Sequence, residues 1–446
     1  MSDRDPKEPE GPPANAPQAT LTVAHAISEI GRETWDRCAN PDAFRPGGNS
    51  NPPPGPSPVK AESLSQQPGS RGNVQESIES APEKAESLSQ DESSNPLISY
   101  DFLSSLEDSE CVGEDSGWWP HHLALTDTTG AARGVMPVYV KNNSFGEYIF
   151  DHGWADAFER AGGSYYPKVQ VAVPFSPVPG RRVLTAHDAP EDFDTLVAGA
   201  LALNRAAEGS SVHWTFCTRA EWDRFGQHGY LQRTDRQFHW FNRGYRTFDD
   251  FLAELASRKR KTIRRERRQA VDSGIAIECI TGSDLTEAHW DAFFAFYMDT
   301  GSRKWGRPYL NRTFFSLIGE RMAGRILLVM AKRKGRYIAG ALNLIGNDAL
   351  YGRHWGAIEH APFLHFELCY YQAIDWAIAH RLPRVEAGHQ GEHKLARGYE
   401  PVAVYSAHHI ANPGLRRAVA DYLERERAMV DHEIAALGDY TPFRKG

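Results

Sequence analysis

The stretch from Tyr337 to Ala407 does most to limit what this chain can fold into. YIAGALNLIG is apolar enough for a buried strand, Gly346-Asn347-Asp348 is a turn, and ALYGRHWG is the returning strand of a hairpin. Ala361-Pro362 then opens FLHFELCYYQAIDWAIAHRL, in which Phe366, Tyr370, Ala373, Ile374 and Ala377 recur at helical spacing. Pro362 suits the first turn of that helix, where its missing N–H would have had no partner, and Pro383 ends the run. A short strand, Arg384–Ala387, leads into the loop GHQGEHKLARG and then a further strand, VAVYSAHHI. Strand, turn, strand, helix, strand is the order of a mixed α/β sheet. The loop holds two imidazoles, a carboxylate, two cations and three glycines, groups a loop needs for chemistry or binding far more than for packing.

The rest of the chain repeats this plan more loosely. Residues 1–20 are rich in Pro and charge and are predicted to be a disordered tail. Residues 21–40 carry a strand, LTVAHAI, and a short helix. Residues 41–95 lose all periodicity and contain KAESLSQ twice, a polar repeat that cannot bury a face; they read as a disordered insertion. Order resumes with LISYDFLSSLEDSECV, a helix, and with a hairpin turned at Asp127–Gly130. Helices follow at 154–161, 191–208 and 221–228, with strands KVQVAVPF, VHWTFC and one starting at Gln237. A second unit begins near Tyr245. Asp249-Asp250 caps a helix running to about Asp272, IAIECI is a strand, 285–300 and 312–323 are helices, and a hairpin turns at Arg333–Gly335. Two mixed α/β units, 96–244 (with 21–40) and 245–446, fit a length of 446 residues.

Composition narrows the class. No apolar run approaches the roughly 20 residues that cross a bilayer, and the N-terminus has no apolar leader segment. Five scattered cysteines without C-x-x-C spacing point to reduced thiols and a cytoplasmic protein. A net charge of −8 argues against general nucleic-acid coating. Locally, however, residues 258–268 hold eight Lys or Arg against one Glu. Arg260, Arg264 and Arg267 (or Arg268) share one helical face, either as a solvated surface or as a phosphate site for a cofactor or tRNA. Near the central loop, His354 and Trp355 end a strand, and His365 and Glu367 open the following helix, where α/β sheets bind ligands. KWGRP and FDHGW are aromatic loops that line a pocket or anchor a Trp over the sheet. His389, Glu392 and His393 match the inverted H-x-x-E-H zinc pattern, but the glycines around them oppose the helix it needs, and no metal is expected. The sequence has no G-x-x-x-x-G-K-[ST], G-x-G-x-x-G or G-x-S-x-G, so a kinase, a Rossmann oxidoreductase and an α/β-hydrolase lack support.

Three long segments, YYPKVQVAVPFSPVPGRR, GRHWG with FLHFELCYYQAIDWAIAHRL, and VEAGHQGEHKLARGYEPVAVYSAHHI, together resemble the FemAB-like branch of the GNAT acyltransferase superfamily. The resemblance spans residues 21–40 and 96 to the C-terminus. It implies an α/β (α+β) fold of two GNAT-like units with mixed central sheets flanked by helices. It also implies acyl or aminoacyl transfer to an amine. The donor would be acyl-CoA or aminoacyl-tRNA, held transiently and not as a tight cofactor; the acceptor would be a small amine or a peptidoglycan precursor. The GNAT pyrophosphate signature is not recognisable before Pro362. On this reading Glu392 or His393 is the base, Lys394 and Arg397 hold a phosphate or carboxylate, and His354, Trp355, His365, Glu367 and Gln390 contact substrate. A recognition module on the same fold, binding muropeptide or tRNA, and a zinc hydrolase are the rival readings.

Overall fold

The computed structural model describes residues 19–41, 94–187, 189–272, 274–304, 308–388 and 391–444. The expected tail (1–18) and the bulk of the expected insertion (42–93) lie outside them, as do His389, Gln390 and most of the KWGRP loop.

In chain order come β1 (Ala19–Ala24), α1 (Ile27–Ile30), α2 (Arg32–Ala39), α3 (Tyr100–Asp108), β2 (Trp118–Pro120), β3 (His122–Asp127), β4 (Ala132–Met136) and β5 (Val138–Lys141). Next are α4 (His152–Arg160), β6 (Lys168–Val171), β7 (Leu184–Thr185), α5 (Pro190–Ala206), β8 (Ser211–Cys217), α6 (Arg219–Gln227) and β9 (Leu231–Phe241). The second half runs α7 (Phe248–Glu254), α8 (Ser257–Val271), β10 (Ile275–Ile280), α9 (Glu287–Lys304), α10 (Arg312–Met322), β11 (Ile326–Arg333), β12 (Arg336–Ile345) and β13 (Ala349–Ala357). It closes with α11 (Leu364–Phe366), α12 (Gln372–Ala379), β14 (Arg384–Glu386), β15 (Glu400–Ile410) and α13 (Pro413–Gly438).

A four-stranded sheet, β1-β3-β4-β7, covers one end. The other sheet has eleven strands in the order β10-β11-β12-β13-β14-β9-β15-β8-β6-β5-β2. Two of its pairs are parallel, β6 with β8 and β13 with β14. Between them the halves exchange strands. β9, the last strand of the first half, lies against β14, while β15, the last strand of the second, lies against β8. β9 and β15 then pair with each other over nine residues. One core packs α9 and α10 on one sheet face, and a second packs α8, α11 and α12 on the opposite face.

Several expectations are corrected. The helix expected from Asp249 to Asp272 breaks at Leu255, where the backbone is extended and bridges to Phe443, while Ala256 N–H donates to Pro442 O (2.8 Å). Its cap is Thr247, with Asp250 completing a reciprocal capping box. Pro362 does not open its helix: Phe363 follows in a left-handed conformation (φ 62) and the helix starts at Leu364. The strand expected from Gln237 begins at Leu231, because β15 pairs with it from Leu231 to His239 and α13 covers it. The 26-residue helix α13, which the sequence did not signal, packs on β9 and β15 and is tied to β9 by the Arg233–Glu426 and Arg236–Glu433 ion pairs.

Candidate active site

After β14 the central loop folds into a 3-10 turn, Glu392–Arg397, between Gly391 (φ 107) and Gly398 (φ 87). Glycine takes those angles without the clash an L side chain meets. The turn sets His393 against the helical run after β13. That run contains a π turn, Glu367–Tyr371, whose extra residue re-aims consecutive tyrosines. Tyr370 lies 3.0 Å from His393 Nε2, and Tyr371 donates to Glu266 on α8 at 2.5 Å. Phe366 (5.5 Å) and His365 (6.1 Å) complete the wall around the His393 ring, and Trp355 meets His365 edge-on at 5.0 Å. Partial burial, with Arg397 and Lys394 nearby, lowers the His393 pKa and favours the neutral imidazole.

Lys394 points inward. Its Nζ donates to Ala387 O (2.5 Å) and Gly388 O (3.2 Å), just past the end of β14, and burial lowers its pKa to about 7. Arg397 ties the turn to α8. It donates to His393 O (2.7 Å) and Glu266 (2.8 Å), and its guanidinium lies 3.4 Å over the Phe366 ring. Between α8 and the turn runs a groove of about 340 Å³, lined by Arg258, Lys259, Thr262, Glu266, Ala396 and Arg397.

The expected residues therefore divide. His393, Lys394, Arg397, His365 and Trp355 converge. Glu392 sits on the same turn and is exposed. Glu367 does not face a substrate: it is buried in ion pairing with Arg267 (2.9 Å), which also holds Asp375 (2.6 Å), an arrangement that fastens α8 to the π turn. Arg267 is thereby occupied, Arg264 pairs with exposed Asp249 (2.7 Å), and Arg260 reaches back to Ala253 O (3.3 Å). The row Arg260–Arg264–Arg267 does not line the groove. The face that does, Arg258, Thr262 and Glu266 with Lys259, is the one that α8 turns toward the 3-10 turn. His354 lies on the opposite sheet face, against Tyr297 on α9 (5.2 Å), because neighbouring strand residues point opposite ways. Gln390 lies outside the described residues, as does His389 of the zinc pattern. Among the described residues no group of three His, Cys, Asp or Glu is placed to hold a metal.

In the sequence Tyr370 is one of the helically spaced apolar residues, and Glu266, Arg258 and Lys259 do not stand out from the basic run. The i, i+4, i+8 spacing of Arg258, Thr262 and Glu266 was the available signal.

The structure is a mixed α/β fold whose larger sheet opens at a parallel strand pair beside a polar loop. Residues 77–445 match the FemAB_like family, described as peptidoglycan biosynthesis/recognition, and the chain belongs to that family. Among solved structures it is similar to FemX, at 12% identity over 74% of this chain and 95% of that one, with a TM-score of 0.48. It is also similar to L-PGS from Bacillus licheniformis (10%, 72% and 95%, 0.45). A third is a tandem GNAT protein from the clavulanic acid biosynthesis pathway (11%, 89% and 99%, 0.42). These likenesses concern overall fold and assign no residue. No curated protein matches the sequence. Among the described residues no helix is long and apolar enough to cross a membrane.

Proposed function

We propose that the chain transfers an acyl or aminoacyl group from a phosphate-bearing donor, acyl-CoA or aminoacyl-tRNA, to the amine of a peptidoglycan precursor in the cytoplasm. The observation that carries this reading is the continuity of the basic groove with the His393–Tyr370 pair through Arg397. Donor phosphates lie along Arg258 and Lys259. A neutral imidazole is the protonation state a base requires, and the tautomer in which Nε2–H donates to Tyr370 leaves Nδ1 to take the amine proton. Lys394, close to half-protonated at neutral pH, stabilises the oxyanion from the end of β14. Arg397 is a positioning residue. Glu392 is the alternative base, and the division into units 21–40 with 96–244, and 245–446, is part of the same proposal.

The test is turnover with each donor. His393→Gln is expected to cost about 10²–10⁴ in kcat, while Glu392→Gln changes it by less than about threefold, the size of a small surface effect. The reverse pattern moves the base to Glu392. Donor binding without turnover by the unaltered protein converts the reading to recognition.

A further inference from the structure

β13 and β14 stay paired only from Ala349–Tyr351 to Arg384–Glu386, and the sheet opens beyond. On the face away from His393, a narrow apolar crevice lies over this opening, lined by Leu97, Phe102, Phe175, Leu310, Leu342 and His354. Arg353 forms part of it. It is the extra residue of a bulge in β13: Leu342 faces His354 and Asn343 faces Gly352, so Arg353 has no partner on β12. Its side chain is 5% exposed. Nη1 donates to Gly352 O (3.0 Å), but Nε and Nη2 have no hydrogen-bond partner. Those two donors form the side-on fork of a guanidinium, the geometry that matches the two oxygens of a carboxylate. Glu386, also buried, gives Oε1 to Arg384 Nε (3.0 Å), while its Oε2, 4.0 Å from Arg353 Nη2, has no partner. Ser176 Oγ, lining the same crevice, has none either.

A buried charge without full hydrogen bonding is costly, so an unpartnered fork beside an unpartnered carboxylate oxygen calls for a partner chemistry. Charge decides which. Arg353, Arg384, Glu386 and Asp348 face one another as two cations and two carboxylates. A simple anion would leave the cluster negative; a zwitterion leaves it neutral.

We propose that Arg353 and Glu386 bind the head group of an α-amino acid, its carboxylate on the Nε/Nη2 fork and its ammonium on Glu386 Oε2, with an apolar side chain or a chain continuation in the crevice. The α-amino acid carries both groups on one carbon, which suits protein atoms 4.0 Å apart. As the crevice stands it has room for about one water, so a small residue fits with least movement of Phe175 and Leu310. The binding lies on the sheet face away from His393 and does not rest on the transferase reading above.

Thermal unfolding of the full chain with glycine, alanine or valine tests this, with alaninamide and N-acetylalanine as probes lacking the carboxylate or the ammonium. An amino acid is expected to raise the midpoint by a few degrees and the two derivatives to leave it unmoved. Arg353→Met and Glu386→Gln are each expected to abolish the shift. Arg353→Lys keeps the charge but not the fork and weakens binding at least about tenfold, which keeps the test open should Arg353→Met fail to fold. An equal shift with alaninamide, a shift that persists in Arg353→Met or Arg353→Lys, or no shift with any of the three amino acids overturns the proposal. These readouts do not involve turnover, so they stand apart from the His393 assay.

Discussion

At the first parallel strand pair, β6 with β8, a fully buried arginine closes the gap and all three of its nitrogens are used. Arg182 donates to Thr215 O (2.8 Å), Gly180 O (3.0 Å), Arg181 O (3.1 Å) and Val178 O (2.5 Å). At the start of β6 Lys168, equally buried, donates to Ser144 (2.8 Å), Glu147 (2.8 Å) and Asp151 (2.5 Å). At the second pair, β13 with β14, the arginine that reaches the gap has two donors without a partner. The topology is alike in both places; the hydrogen bonding is not. An opening between parallel strands becomes a site only where the side chains behind it are left with bonds to make.

The largest test of this contrast is to remove each arginine. Arg182→Met leaves four carbonyl oxygens without their donor and is expected to destabilise by about 3–5 kcal/mol in urea denaturation. Arg353→Met removes one hydrogen bond and leaves Glu386 with a single cation, so its loss should be smaller, about 1–2 kcal/mol. Equal losses would erase the distinction.

Intermediate effects come from pH. Burial opposes ionisation of Asp151, but Lys168, His213 and hydrogen bonds outweigh it and hold the carboxyl well below its usual range. A depressed carboxyl adds stability above its unfolded value of about 3.9, and that stability is lost as pH falls through the acid range toward the folded value. Lys394 works at the other end. With its pKa lowered to about 7, the folded chain sheds a proton that the unfolded chain keeps until about pH 10, so its contribution rises with pH between those values. Urea midpoints should fall below about pH 4 in the parent and less so in Asp151→Asn. Lys394→Met should flatten part of the alkaline rise; Lys141, lowered to about 7 in the first half, supplies the rest. An unchanged alkaline slope in Lys394→Met would mean that its ammonium is solvated.

The smallest effect belongs to α8. Arg264→Ala breaks an exposed pair and should cost less than about 0.5 kcal/mol, with no change in the salt dependence of donor binding. Arg258→Ala or Lys259→Ala should each lower the slope of log affinity against log salt by about one. A change with Arg264 instead would return the phosphates to the outer face of the helix.

Local signals in the sequence identified the hairpins, most helices and the central loop, because turns, caps and apolar spacing act over a few residues. The break between α7 and α8 was not legible, since residues near the C-terminus impose it. The strand exchange was equally hidden: nothing near Gln232 or Arg236 signals that β15 will lie beside them. The site followed the same division. His393 and Lys394 were legible as chemistry crowded into a loop, whereas Tyr370 as partner, Glu266 as tether and the unpartnered fork of Arg353 arise only from tertiary convergence. Glu367 misled for the same reason, its partner lying 100 residues away on α8.

Synthesis on the ribosome gives the exchanged strands a further meaning. β8 gains its neighbour β15 only when a segment 195 residues downstream has emerged, as the contact of His213 with His408 records. Until then the nascent first half exposes an unpaired strand edge, the kind of surface on which chains aggregate. A truncation before β15 therefore leaves β8 and β9 without the strand between them, and a gene divided between the two halves should yield soluble product only when both pieces are made together.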